Sequence, residues 1–98
     1  MNEYEKRQYT LMNDFLEAFE QKTIGIKTLI DSLRGLINTL DDADDAWKTD
    51  FSKSWWILEK TYSIASYRKE SKIPDASLDE ISQAVNRMKQ LLSARLGN

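Results

Sequence analysis

Apolar residues recur at intervals of three and four along this chain, and alternation of the kind a strand requires never lasts more than a few residues. The pattern predicts an all-α fold, a small antiparallel bundle of about four helices forming a single domain over residues 1–98. A first helix from about Asn2 to Lys22 puts Tyr4, Leu11, Met12, Phe15 and Phe19 on one face, with Ala18 beside them and Leu16 at the edge. Its opening EYEKRQY is polar apart from the tyrosines and is expected to fray. Thr23 and Gly25 mark the break. A second helix carries Ile26, Leu29, Ile30, Leu33, Leu36, Ile37 and Leu40, while Gly35 lies off that stripe. A glycine there is either tolerated, at about 1 kcal/mol relative to Ala, or marks the close approach of another helix or a partner.

The third helix is the most aromatic part of the chain and holds all three tryptophans. Trp47, Phe51, Trp55, Leu58, Tyr62 and Ala65 share one face. At about 100° per residue, Trp56, Ile57, Ile64 and Tyr67 fall on the other side. A helix apolar on more than one side is expected to be central, covered by several neighbours. Asp41 or Asp42 suits its N-cap, further aspartate suits the positive end of the helix dipole, and the helix runs on to about Lys69. The segment from Arg68 to Ser77 then reads as a loop, because Pro74 lacks a backbone donor and biases Ile73 away from helical geometry. Ser77 and Glu80 form a capping-box pattern ahead of Leu78, Ile81, Val85, Met88, Leu92 and Leu96, a fourth helix ending at Gly97.

Composition narrows the function classes. The chain has 98 residues and no cysteine, which gives no sign of a disulfide framework or a thiolate metal site. It also has no histidine, the commonest general base and transition-metal ligand. A carboxylate pair can hydrolyse a glycoside but needs a sizeable cleft, and no glycine-rich phosphate loop is present. No enzyme is expected, and no catalytic or cofactor-binding residue is assigned. With 14 basic and 16 acidic residues the formal charge is −2, which argues against nucleic acid as a partner. The apolar runs are too short to cross a bilayer, and the N-terminal MNEYEKRQYT lacks a signal-peptide core, so a cytoplasmic protein is expected.

Charge is unevenly placed. Asp41, Asp42, Asp44, Asp45 and Asp50 offer hard oxygen ligands, but they lack the alternate spacing, central glycine and distal glutamate of a calcium loop. On a helix, Asp41, Asp44 and Asp45 fan over one side while Asp42 and Asp50 point elsewhere, so no metal is expected. Two readings of the run remain open: a capped, solvated helix start, or a negative surface offered to a basic partner. Trp47, Phe51, Trp55 and Tyr62 read as core. Trp56 falls between Lys53 and Lys60, one helical turn from each along the helix, and at the bundle's edge it would make the best apolar anchor. Asp41, Asp42, Asp44, Asp45, Asp50 and Trp56 are therefore the candidate partner-binding residues.

The pattern Trp47-x3-Phe51-x3-Trp55-x2-Leu58-Glu59-x2-Tyr62, preceded by aspartates and an aliphatic helix, resembles small helical immunity proteins. These serve bacterial contact-dependent growth inhibition and related polymorphic toxin systems. The likeness spans about residues 26 to 92. It implies a cytoplasmic protein that binds and neutralises one cognate toxin domain, often a nuclease, without turnover; independently of the likeness, a monomer or weak dimer is expected. Such immunity proteins share no binding motif, so no interface residue carries over. A nuclease presents a basic groove, which makes the acidic run the candidate contact on charge. The alternative is a small helical adaptor or regulatory subunit that meets another basic protein; a toxin gene immediately upstream discriminates between the two.

Overall fold

The computed structural model describes residues 3–40, 45–69 and 74–97. Its described residues form four helices, α1 (Glu3–Glu20), α2 (Ile26–Asn38), α3 (Asp45–Tyr67) and α4 (Asp75–Leu96), with no strand among them. Consecutive helices pack side by side. α3 packs against α2 and α4, and α1 closes the ring against α2 and α4; the diagonal backbones do not approach one another. α3 is thus one wall of a four-sided bundle rather than a central helix.

Local chemistry sets the helix ends. α1 stops because Lys22 takes a left-handed conformation with φ 63°. Thr23 N–H then donates to Ala18 O at 2.9 Å and Lys22 N–H to Phe19 O at 3.0 Å, the paired bonds of a Schellman stop. Gly25 is the N-cap of α2 in an ordinary extended conformation. α2 ends where Thr39 Oγ1 donates to Leu36 O, and Lys48 Nζ reaches back to Leu40 O at 2.9 Å, tying the corner between α2 and α3. α4 begins at Asp75, with Pro74 as N-cap, ahead of the capping box expected at Ser77. Proline sits well there, since the first helical donors need no partner within the helix and its φ of −58° is already set. Ser77 therefore lies in the first turn, where its N–H and that of Leu78 reach Pro74 O. Gly97, at φ 79°, closes α4 as expected.

The core is Tyr9, Met12, Leu16, Leu29, Ile30, Leu33, Leu40, Trp47, Phe51, Leu58, Ile81, Ala84, Val85, Met88 and Leu92. Tyr9 belongs to the stretch expected to fray, yet it is 1% exposed, and Leu16 at the supposed edge is fully buried. Tyr4, Leu11 and Leu78, expected on core faces, are exposed. Gly35 has nothing among the described residues within 4 Å of where a Cβ would stand, so no other described helix approaches it closely.

Aromatic side chains tie the walls together. Trp47 stacks on Phe51 with centroids 5.1 Å apart, and its indole N–H donates to Leu91 O on α4 at 3.1 Å. Trp55 is half-buried against the core, and its indole N–H donates to Ile30 O on α2 at 3.0 Å. Ion pairs bridge the outer seams: Arg34 with Glu59 between α2 and α3, Arg87 with Asp50 between α3 and α4, and Lys89 with Glu20 between α1 and α4, each at 2.7 Å. Such exposed pairs contribute little, typically about 0–1 kcal/mol each. Burial and the indole bonds set the register.

Candidate functional site

α3 turns one side to α2 and another to α4, so it keeps an outward stripe between them. At about 100° per residue, Asp45, Thr49, Lys53, Trp56, Lys60, Ser63 and Tyr67 follow that stripe, and all of them are exposed. The side expected to be covered is therefore largely bare. Trp56 is 56% exposed, Ile64 45% and Tyr67 90%; only Ile57 is half-buried, packed against the core. The physical reason is the four-sided ring: with α1 across the diagonal, no helix remains to cover the outside of α3.

Trp56 differs chemically from the other two tryptophans. Trp47 and Trp55 spend their indole N–H groups on carbonyls of neighbouring helices. The Trp56 indole N–H has no acceptor among the described residues. A large, partly apolar ring with a free donor, fixed in the middle of the longest helix, suits contact with another molecule.

The other candidates fare differently. Asp41, Asp42 and Asp44 lie outside the described residues. Asp45 stands in the first turn of α3 and is exposed, on the same stripe as Trp56. Asp50 points away from that stripe toward α4, where Arg87 Nη2 meets its carboxylate at 2.7 Å. The structure thus brings Asp45 and Trp56 onto one face and turns Asp50 to the α4 seam. Among the described residues no cluster of three or more potential metal-ligating acids forms. No helix among them is long and apolar enough to cross a membrane.

Comparison with protein families, curated proteins and solved structures finds no match. Sequence reasoning missed Ile64 and Tyr67 as surface residues. The signal was present: Lys60 precedes Ile64 by one helical turn, and Lys53 and Lys60 flank Trp56, so the lysines already marked this side as solvent-facing.

A groove runs beside the stripe along the α3–α4 seam. Lys60, Thr61, Ile64 and Arg68 line one bank and Pro74, Ser77 and Glu80 the other. Neither Lys53 nor Lys60 has a carboxylate within ion-pair distance among the described residues. The nearest acids by sequence are both engaged, Asp50 before Lys53 by Arg87 and Glu59 before Lys60 by Arg34.

Proposed function

We propose that this protein is a stoichiometric inhibitor of one cognate bacterial toxin domain, acting in the cytoplasm by binding alone. The observation that carries the reading is Trp56, an exposed tryptophan at the middle of a rigid helix with an uncommitted donor. Tryptophan is among the side chains that most often anchor protein interfaces, and a helix supplies it without an ordering cost. The likeness of α3 and its surroundings to small helical immunity proteins supplies the class of partner. Asp45 and the aspartates that precede it in sequence, Asp41, Asp42 and Asp44, offer negative potential to a basic toxin such as a nuclease. Asp50 would have to leave Arg87 to take part.

The test is a search for a toxin gene immediately upstream of this chain's gene, followed by co-expression with the domain it encodes. Protection of the host together with a one-to-one complex in native mass spectrometry is the expected outcome. A toxin that stays active and does not bind the purified protein contradicts the proposal.

A further inference from the structure

We infer that Lys53, Trp56 and Lys60 form a docking patch for an acidic protein segment, one that sets an apolar side chain on Trp56 and carboxylates on the flanking lysines. This goes beyond the inhibitor reading, which shares Trp56 as an anchor but places its charged contact at the acidic start of α3 and expects a basic partner there. The patch has the opposite sign, and the inference does not require the partner to be a toxin.

The lysines stand one helical turn to either side of Trp56 along α3; at about 100° per residue both fall on the α4 side of the stripe, and Lys60 lines the groove shared with α4. Both are exposed, and no described acid neutralises either. Glu80 shares the groove with Lys60 but lies beyond ion-pair reach. Arg34, Arg87 and Lys89 are each held by a carboxylate of a neighbouring helix at 2.7 Å, whereas Lys53 and Lys60 combine two ammonium groups with no described carboxylate partner and an exposed indole between them along α3. Opposite charges on a partner would gain association rate and orientation, while Trp56 supplies the apolar contact.

Charge also decides among occupants. A second copy docked antiparallel would set Lys53 and Lys60 against the same lysines of the other chain. A nucleic-acid strand or a lipid surface extends past the patch and meets Asp45 along the stripe and Glu80 across the groove. A short acidic segment avoids both. An amphipathic helix or strand, with acidic residues around an aromatic residue or leucine, fits this patch.

The experiment selects a displayed library of random short peptides against the whole chain, then measures the winners against wild type, Lys53→Glu/Lys60→Glu, Trp56→Ala, and the Asp→Asn variant at positions 41, 42, 44 and 45. The expected winners carry carboxylates beside an aromatic residue or leucine. They lose roughly tenfold or more in affinity on either patch variant, and they weaken with salt. The Asp→Asn variant keeps them, which separates this inference from the acidic-start reading. On titration, the indole N–H resonance of Trp56 moves while those of Trp47 and Trp55 stay. Basic or neutral winners, no winners, unchanged affinity in the lysine variant, or a stationary Trp56 resonance would each overturn the inference. So would tighter binding at this face of oligodeoxythymidylate or of phosphatidylserine vesicles. Lys53 and Lys60 are exposed, so their variant keeps the fold and carries the test even where Trp56→Ala loses stability.

Discussion

Tyr9 and Trp47 meet edge-on across the diagonal of the bundle, their ring centroids 5.1 Å apart and their planes at 70°. The contact joins α1 to α3, whose backbones do not touch. Arg95 lies over the same indole at 5.2 Å. The Tyr9 hydroxyl is buried there without a hydrogen-bond partner among the described residues. An unmatched buried hydroxyl costs about 1–3 kcal/mol, so Tyr9→Phe keeps the ring contact and removes the penalty. The expected result is stabilisation of about 1 kcal/mol in chemical denaturation. A loss of similar size would mean that the hydroxyl has a partner.

The same phenol gives the stability an alkaline limit. Burial, with a smaller contribution from Glu5 and opposed by Arg95, raises its pKa above the usual 10.0. In the unfolded chain the phenol titrates at its ordinary value, so the unfolded state loses the proton first as pH rises. The Tyr9 contribution is therefore constant below about pH 10 and declines as pH climbs toward the folded-state value. Tyr9→Phe should show a shallower decline over that range. Identical alkaline profiles would contradict the assignment.

The tryptophans should rank by how much each is enclosed. Trp47→Ala empties a core site and should destabilise by about 3–5 kcal/mol. Trp55 is half-buried, stacked under Arg34 at 5.2 Å and bonded to Ile30, so Trp55→Ala should fall at the low end, about 3 kcal/mol. Trp56→Ala should stay within about 0.5 kcal/mol, as for other surface substitutions. Urea unfolding midpoints check the order, and a Trp56 effect as large as that of Trp47 would put α3 in a different register.

Lys22 holds a left-handed conformation that a lysine adopts only at a cost of about 1–2 kcal/mol. Glycine adopts it freely but also gains freedom in the unfolded chain. Lys22→Gly should raise stability by about 0.5–1 kcal/mol, read from the melting temperature. Lys22→Val should lower it.

Much of this fold is legible in the sequence because the α2 and α4 stripes are clean, with few polar residues on the buried side. Tyr9 escapes the reading because most of EYEKRQY is charged, whereas its burial depends on partners distant in sequence, the ring of Trp47 across the bundle among them. The outer face of α3 escapes for the opposite reason. Trp56, Ile64 and Tyr67 are apolar enough to suggest cover, and helical spacing does not tell a side facing another helix from one facing solvent. The start of α4 is misplaced because Ser77 and Glu80 make a valid cap pattern, whereas Pro74 supplies an earlier one through its fixed φ. Of the candidate site, the exposure of Trp56 follows from its lysine neighbours. The tie between Asp50 and Arg87 depends on the register of α3 against α4, which local spacing does not contain.

Replacing Asp41, Asp42, Asp44 and Asp45 by Asn removes charge at nearly constant size, and Asn caps helices about as well as Asp. If these residues meet a basic toxin, the variant keeps its melting curve and associates more slowly, with a weaker salt dependence. An aspartate buried against a toxin lysine or arginine would add a loss of about 2–5 kcal/mol. Stopped-flow association at low and moderate salt separates these outcomes. Unchanged rates at both salts would leave the run as a capped, solvated helix start.

The most direct test of the proposed function is the affinity of Trp56→Ala for the cognate toxin domain it requires, measured by calorimetry next to wild type. An anchor residue costs about 2 kcal/mol or more when truncated, so the dissociation constant should rise roughly thirtyfold with the one-to-one stoichiometry and the melting temperature preserved. A complex that forms with unchanged affinity while the folded variant lacks this indole would contradict the claim that the outward face of α3 is where the partner docks.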